Sequence, residues 1–148
     1  VFKVQVAGNA FKVLADAARK LRASIWGAVK LGGMDVVRGA KINVKQKLNT
    51  TGESQGNLGR SIVMIPHEAE LLVAVGPEAI DGAVHEFGAT ITPIGHPYLR
   101  FRGKDGEWVY MRSVKIPKRA YLIPAFNAAR QKIRARIDAA AGKLFPGA

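Results

Sequence analysis

The chain of 148 residues contains no cysteine. That absence excludes a disulfide framework, a thiol nucleophile and a thiolate metal site, and it fits a reducing compartment. No apolar run approaches about 18 residues, which excludes a membrane-spanning helix. The N-terminal VFKVQVAGNAF lacks the long apolar stretch of a signal peptide. Residue 1 is Val, so an initiator Met is expected to have been removed or to lie outside the numbering. Histidine is scarce. His67, His85 and His96 include no pair at i,i+4 and no His-Glu-x-x-His, so no metal site is expected. Ser61 lacks a Gly-x-Ser-x-Gly setting, and no Gly-Lys-Ser/Thr follows the glycines of residues 52–59. Glu68, Glu70, Glu78, Asp81 and Glu86 are acids that nothing couples in pairs, and they read as a solvated or subunit-facing acidic edge. With no nucleophile–base pair in view, a small hydrolase has the least support, and no cofactor is expected.

Charge is abundant but segregated. The chain carries 23 Lys and Arg against 11 acids, a net charge of +12. Residues 1–60 hold 11 bases and 3 acids, residues 61–98 hold 5 acids and no base, and residues 99–136 hold 11 bases and 2 acids. A uniformly basic nucleic-acid binder need not have such a gap. Segregation suits a subunit whose basic face meets an acidic face of a neighbour, or a channel lumen. The plainer reading is solvated helix faces.

Periodicity supplies the elements. VFKVQV alternates as a short strand, and Asn9 is a fair helix N-cap. Phe11, Leu14, Ala18, Leu21, Ile25 and Ala28 then form a helical stripe. Gly32-Gly33 is expected to break or bend that helix, each glycine costing about 1 kcal/mol. Met34, Val37, Ala40, Val44 and Leu48 mark a second helix, basic elsewhere. Residues 49–57 read as a polar loop. Strands are expected over Ser61–Ile65, stopped by Pro66, and over Ala69–Val75, with His67-Glu68 turning between them. One or two helical turns fit between Ala79 and His85.

A basic β-hairpin follows. Leu99 to Arg102 runs up, a Gly103–Gly106 turn contains the Asp-Gly signal, and Glu107 to Arg112 returns, with Val114 and Ile116 prolonging the return strand. Leu99 and Phe101 alternate with Arg100 and Arg102, giving one apolar and one basic face. The plainer reading makes Phe101, Trp108 and Tyr110 cross-strand packing residues with the charges facing solvent, and the parity of Phe101, opposite to Arg100 and Arg102, places it in a packed face. Arg100, Arg102, Lys104 and Arg112 are placed to neutralise phosphates, which keeps a basic nucleic-acid-binding module with non-specific DNA contact as an alternative. No sequence-reading motif accompanies them. Pro124 falls in a first helical turn, and Phe126, Ala129, Ile133, Ile137 and Ala140 form a last stripe ended by Gly142. The fold class is therefore α+β in one domain: an antiparallel sheet of four or five strands packed against N-terminal helices and a C-terminal helix, with a projecting β-hairpin.

Several short motifs, in one order, carry a resemblance. Gly56-Asn57-Leu58-Gly59-Arg60-Ser61-Ile62, Val73-Ala74-Val75-Gly76, Val84-His85-Glu86-Phe87-Gly88, the hairpin from Leu99 through Trp108, and Ile116-Pro117-Lys118-Arg119-Ala120-Tyr121-Leu122 are spaced as in phage virion-morphogenesis and tail-completion proteins. The chain resembles that family over roughly residues 50–137. It departs at Lys118 and Ala120, where Ala and Pro are common, and at Tyr121, which replaces Phe and needs a partner for its hydroxyl.

The resemblance implies a structural virion protein without catalytic activity. It implies a ring, hexameric by expectation, in the neck between tail tube or tail terminator and head connector or stopper. It implies assembly in the host cytoplasm, with packaged DNA passing nearby and no membrane involved. The residues expected to meet partners or line the DNA route are Arg100, Arg102, Lys104, Trp108, Arg112, Thr50, Thr51 and Asn57. The acidic inter-subunit edge is expected at Glu68, Glu70, Glu78 and Asp81. Phe87, Pro117, Tyr121 and Leu122 are expected to pack the sheet against the C-terminal helix.

Overall fold

A computed structural model describes residues 8–48, 53–103 and 105–143, with the side chains of residues 53–56 left aside. The expected N-terminal strand therefore lies outside the described residues. The first element is one continuous helix, α1 (Gly8–Lys47). It does not break at Gly32-Gly33, contrary to expectation. Neighbours explain this. A Cβ on Gly32 would stand 2.7 Å from Ile133 Cγ1, and one on Gly33 would stand 2.6 Å from Val73 Cγ1 and 2.8 Å from the Met64 sulfur. The glycines let other elements approach the helix, and that packing outweighs their low helix propensity.

After α1 come α2 (Glu53–Ser61), β1 (Ile62–His67), β2 (Leu72–Pro77), α3 (Asp81–Phe87), β3 (Ala89–Ile91), β4 (Leu99–Arg102), β5 (Trp108–Met111), β6 (Val114–Ile116) and α4 (Leu122–Gly142). The α+β class holds. The strands form three separate antiparallel pairs, β1–β2, β3–β6 and β4–β5, rather than one sheet of four or five.

Several boundaries move. Residues 53–57, expected in a loop, open α2. Pro66 does not stop β1. It pairs with Val73 in a two-stranded ladder, where every strand is an edge and a missing N–H is tolerated. The turn lies at Glu68–Glu70, one short 3-10 turn closed by Leu71 in the left-handed region (φ 52°). Arg22 of α1 holds that turn by donating to the carbonyls of Glu68 (3.0 Å) and Ala69 (2.7 Å). Val114–Ile116 does not prolong the hairpin. It pairs with β3 (Ala89↔Ile116, Ile91↔Val114), so the whole stretch 92–113 is an insertion between two paired strands.

The core joins the C-terminal half of α1 to α2, β1 and the start of α4. Ala40, Val44, Leu48, Leu58, Ile62, Tyr121 and Ala125 are its buried members, with Leu122 packed beside them. Of the residues expected to hold the sheet to α4, Tyr121 and Leu122 do so. Phe87, at 65% exposure, does not, and Pro117 is exposed as well. A helix of this length spans about 60 Å, longer than the core beneath it. The apolar stripe of α1 is accordingly buried only from its middle: Phe11 and Leu14 stand exposed, while Ala28 is covered, as is Trp26 beside it.

Asp35 of α1 pairs with two cations of α4, Arg136 and, at 3.7 Å, Lys132. Arg136 of α4 donates to Asp35 of α1 at 2.6 Å, and both side chains are largely covered. The Arg136 hydrogen bond outweighs the burial that opposes it and, with the Arg136, Lys132 and Arg38 charges, holds the Asp35 carboxyl below its ordinary range. Asp35→Ala is expected to cost about 1–2 kcal/mol in chemical denaturation. Its depressed pKa makes that contribution complete above the ordinary aspartate range, and it fades as pH falls through the folded value. An Asp35→Ala curve superposing on the wild-type curve at pH 7 contradicts this.

Candidate partner-binding surface

The hairpin is built by strand alternation. Its register pairs Leu99 with Met111, Arg100 with Tyr110, Phe101 with Val109 and Arg102 with Trp108. Successive side chains point to opposite faces, so Arg100, Arg102, Trp108 and Tyr110 share one face and Leu99, Phe101, Val109 and Met111 the other. The turn closes through Gly103 N–H donating to Glu107 O (2.8 Å) and Gly106 N–H donating to Gly103 O (3.1 Å). Gly106 has φ 79°, a conformation open to glycine at little cost.

The basic face is also aromatic. The Arg100 guanidinium stands 3.8 Å from the Trp108 ring centroid and Arg102 5.2 Å from it, while Arg112 lies 6.0 Å from the Tyr98 ring. Arg100 is stacked on the Trp108 ring, while Arg102 and Arg112 lie at the outer range of cation–π attraction, and all three remain exposed. Trp108 therefore belongs with the arginines and not with the packing face.

The other face is only partly packed. Leu99 and Val109 are half-buried, but Phe101 is 39% and Met111 44% exposed. The expectation that Phe101 sits in a covered face is corrected. A lone two-stranded hairpin is marginal in water, and this one leaves apolar area on one side and a cation–aromatic cluster on the other.

The remaining expected residues are dispersed. Asn57 is exposed on α2, where its Oδ1 accepts from Arg60 at 3.4 Å. Thr50, Thr51 and Lys104 lie outside the described residues. The acidic edge is not one edge. Glu68 and Glu70 sit in the β1–β2 turn, and Glu78 and Asp81 lie past the far end of β2, one six-residue strand or about 20 Å away. Among the described residues, no group of three or more His, Asp or Glu could hold a metal ion, and no helix is long and apolar enough to cross a membrane.

Glu86 is the residue that sequence reasoning misplaced. It is buried, not solvated, and its carboxylate accepts three backbone hydrogen bonds, from the N–H groups of Tyr121 (2.8 Å), Leu122 (2.8 Å) and Ile123 (3.0 Å). These are unsatisfied donors of the first turn of α4, and the carboxylate meets the positive end of that helix. Burial pushes the carboxyl up, but the three N–H donors, with Lys118 nearby, outweigh it and leave the group below its ordinary value. Around it, Arg119 N–H donates to His85 O (2.8 Å), and a Cβ on Gly88 would stand 3.0 Å from Lys118 N. The Tyr121 hydroxyl finds its partner in Gly82 O at 3.3 Å. Burial, then the Glu86 and Asp81 charges, raise that phenol to about 12.

The His85–Gly88 and Ile116–Leu122 motifs are therefore two halves of one clamp, from whose strands the hairpin insertion departs. No family model, curated protein or solved structure matches the chain.

Proposed function

We propose that this protein is a structural subunit of a phage head–tail interface, a tail-completion, neck or tail-terminator protein. It acts by assembling as a ring, hexameric by the family resemblance, between the tail tube and the head connector. It works through contacts and not through catalysis, and its place is the virion neck, assembled in the host cytoplasm.

The observation that carries this reading is the hairpin arm. An insertion rooted in the Glu86 clamp presents a face with Arg100 stacked on Trp108 and Arg102 nearby, and an incompletely covered apolar face. Surfaces of that composition, with aromatics and arginine beside exposed apolar area, favour protein partners. The exposed stripe at Phe11 and Leu14 adds a second uncovered surface. The ordered motifs that resemble those of tail-completion proteins are in keeping with this reading.

Non-specific DNA contact is the second reading, favoured by the net charge and the arginine face. It requires a steep loss of affinity with salt. The Trp108 ring already carries a guanidinium on it, which leaves less ring for a base to stack upon.

Arg100→Ala with Trp108→Ala separates the two. Because the arm is exposed, the double variant is expected to keep the wild-type fold and melting temperature while losing tail joining by at least about tenfold, read by negative-stain imaging and by plating of complemented virions. Full tail joining by the double variant contradicts the arm's role. A wild-type chain that binds free duplex DNA tightly and never joins tails overturns the neck reading.

A further inference from the structure

Beside the contact of α1 with β1 lies a groove of about 480 Å³ that no part of the described chain fills. Met34, Val37 and Ile42 form its floor with Met64 of β1. Met34 is 53% and Ile42 49% exposed, so the floor is open apolar surface. Its rim is cationic. Arg38, Lys41 and Lys45 follow at steps of three and four, one stripe on the helix, and all three are exposed. None makes a salt bridge among the described residues.

A complementary feature stands elsewhere on the same chain. Ile80 is 97% exposed, the most exposed large apolar side chain among the described residues. It lies on the short connection after β2 and is flanked by Glu78, which is exposed, and Asp81, whose side chain is 47% exposed. Ile94, nearly as exposed, has no acid beside it. Residues 61–98 form the one net-negative stretch of a strongly basic chain. A groove rimmed by three cations disfavours the basic stretches of another copy and favours an apolar side chain flanked by acids, as Ile80 is.

We propose that Ile80 of one copy seats in the Met34–Val37–Ile42–Met64 groove of the next, with Glu78 and Asp81 facing Arg38, Lys41 and Lys45. Knob and groove are different surfaces, so the contact is heterologous, and repetition closes a ring or extends a filament. This rests on the ring reading and supplies its subunit contact.

The test uses the full chain in sedimentation velocity at low and high salt. The wild type is expected to form an oligomer that salt weakens. Ile80→Asp, at a site where folding has little at stake, is expected to weaken it by at least about tenfold. Glu78→Lys with Asp81→Lys, and Lys41→Glu with Lys45→Glu, are each expected to do likewise by placing like charges in contact. The two charge-reversed chains mixed together are expected to associate again, because each then offers the other a complementary pair of surfaces. Circular dichroism checks that each variant is folded.

A wild-type oligomer that all three variants leave intact overturns this contact while the ring reading stands. Variants that dissociate without rescue on mixing also overturn it. A monomeric wild type overturns it too, and the ring reading is then decided by whether the chain caps tail ends under the microscope.

Discussion

Glu86→Ala is expected to lower stability by about 3–5 kcal/mol, with a drop in melting temperature of about 8–15 °C for a chain of this size. The physical reason is that one carboxylate satisfies three N–H groups at the start of α4, one of them on the fully buried Tyr121. Alanine leaves those donors unsatisfied at a covered helix end and removes the negative charge that meets it. Glu86→Gln keeps an acceptor oxygen but turns an amide donor toward other donors, so about half the loss is expected.

The pH dependence gives an independent check. The folded carboxyl titrates below its ordinary value of 4.5, so the unfolded chain takes up the proton first as pH falls. The contribution of ionisation is complete above that value and is lost as pH drops through the folded pKa. The stability gap between wild type and Glu86→Gln should therefore be constant near neutrality and narrow below pH 4.5. A Glu86→Ala protein with wild-type unfolding midpoint contradicts the clamp.

Gly33→Leu is expected to cost about 3 kcal/mol, although it replaces a poor helix former with a good one inside a long helix. The side chain would begin 2.6 Å from Val73 Cγ1, so either β2 moves off the helix or α1 bends. Met64 can swing aside, but the branched Val73 has no comparable freedom. Gly33→Ala is a milder form, with a propensity gain of about 1 kcal/mol working against the same crowding. Gly27 is the internal control. Nothing lies within 4 Å of its missing Cβ, so Gly27→Ala is expected to stabilise by up to about 1 kcal/mol. If Gly33→Leu and Gly27→Ala shift the denaturation midpoint in the same direction, the close approach at Gly33 is not what holds α1 against the β1–β2 pair.

Much of the local structure was legible in residue order. The hairpin followed from alternation around an Asp-Gly turn, α4 from its apolar stripe between Pro124 and Gly142, and α3 from its neighbours. These signals are local, carried by residues within a few positions of one another. The sequence order of the 84–88 and 116–122 motifs also marked the two stretches that meet in the clamp, though not that they meet.

The errors have one common cause. Gly32-Gly33 reads as a break because propensity is a local quantity, whereas Ile133, Val73 and Met64, far along the chain, make a bare backbone necessary there. Glu86 reads as a surface acid because its partners lie 35 to 37 positions away. Phe101 reads as packed from its alternation with Arg100 and Arg102, and Phe87 as packing against the C-terminal helix, but no distant segment covers either ring, and both stand exposed. Val114–Ile116 reads as part of the hairpin because it follows it directly, while hydrogen bonding gives it to Ala89–Ile91.

The sequence by itself determined the α+β class, the segregation of charge into basic, acidic and basic stretches, and the alternation that gives the arm two unlike faces. Tertiary structure alone decided that α1 runs unbroken, that Glu86 caps α4, and that the strands divide into three pairs. The reason is the range of the forces. Periodicity, propensity and charge are written within a few residues, but burial and hydrogen-bond satisfaction depend on which distant segments come into contact.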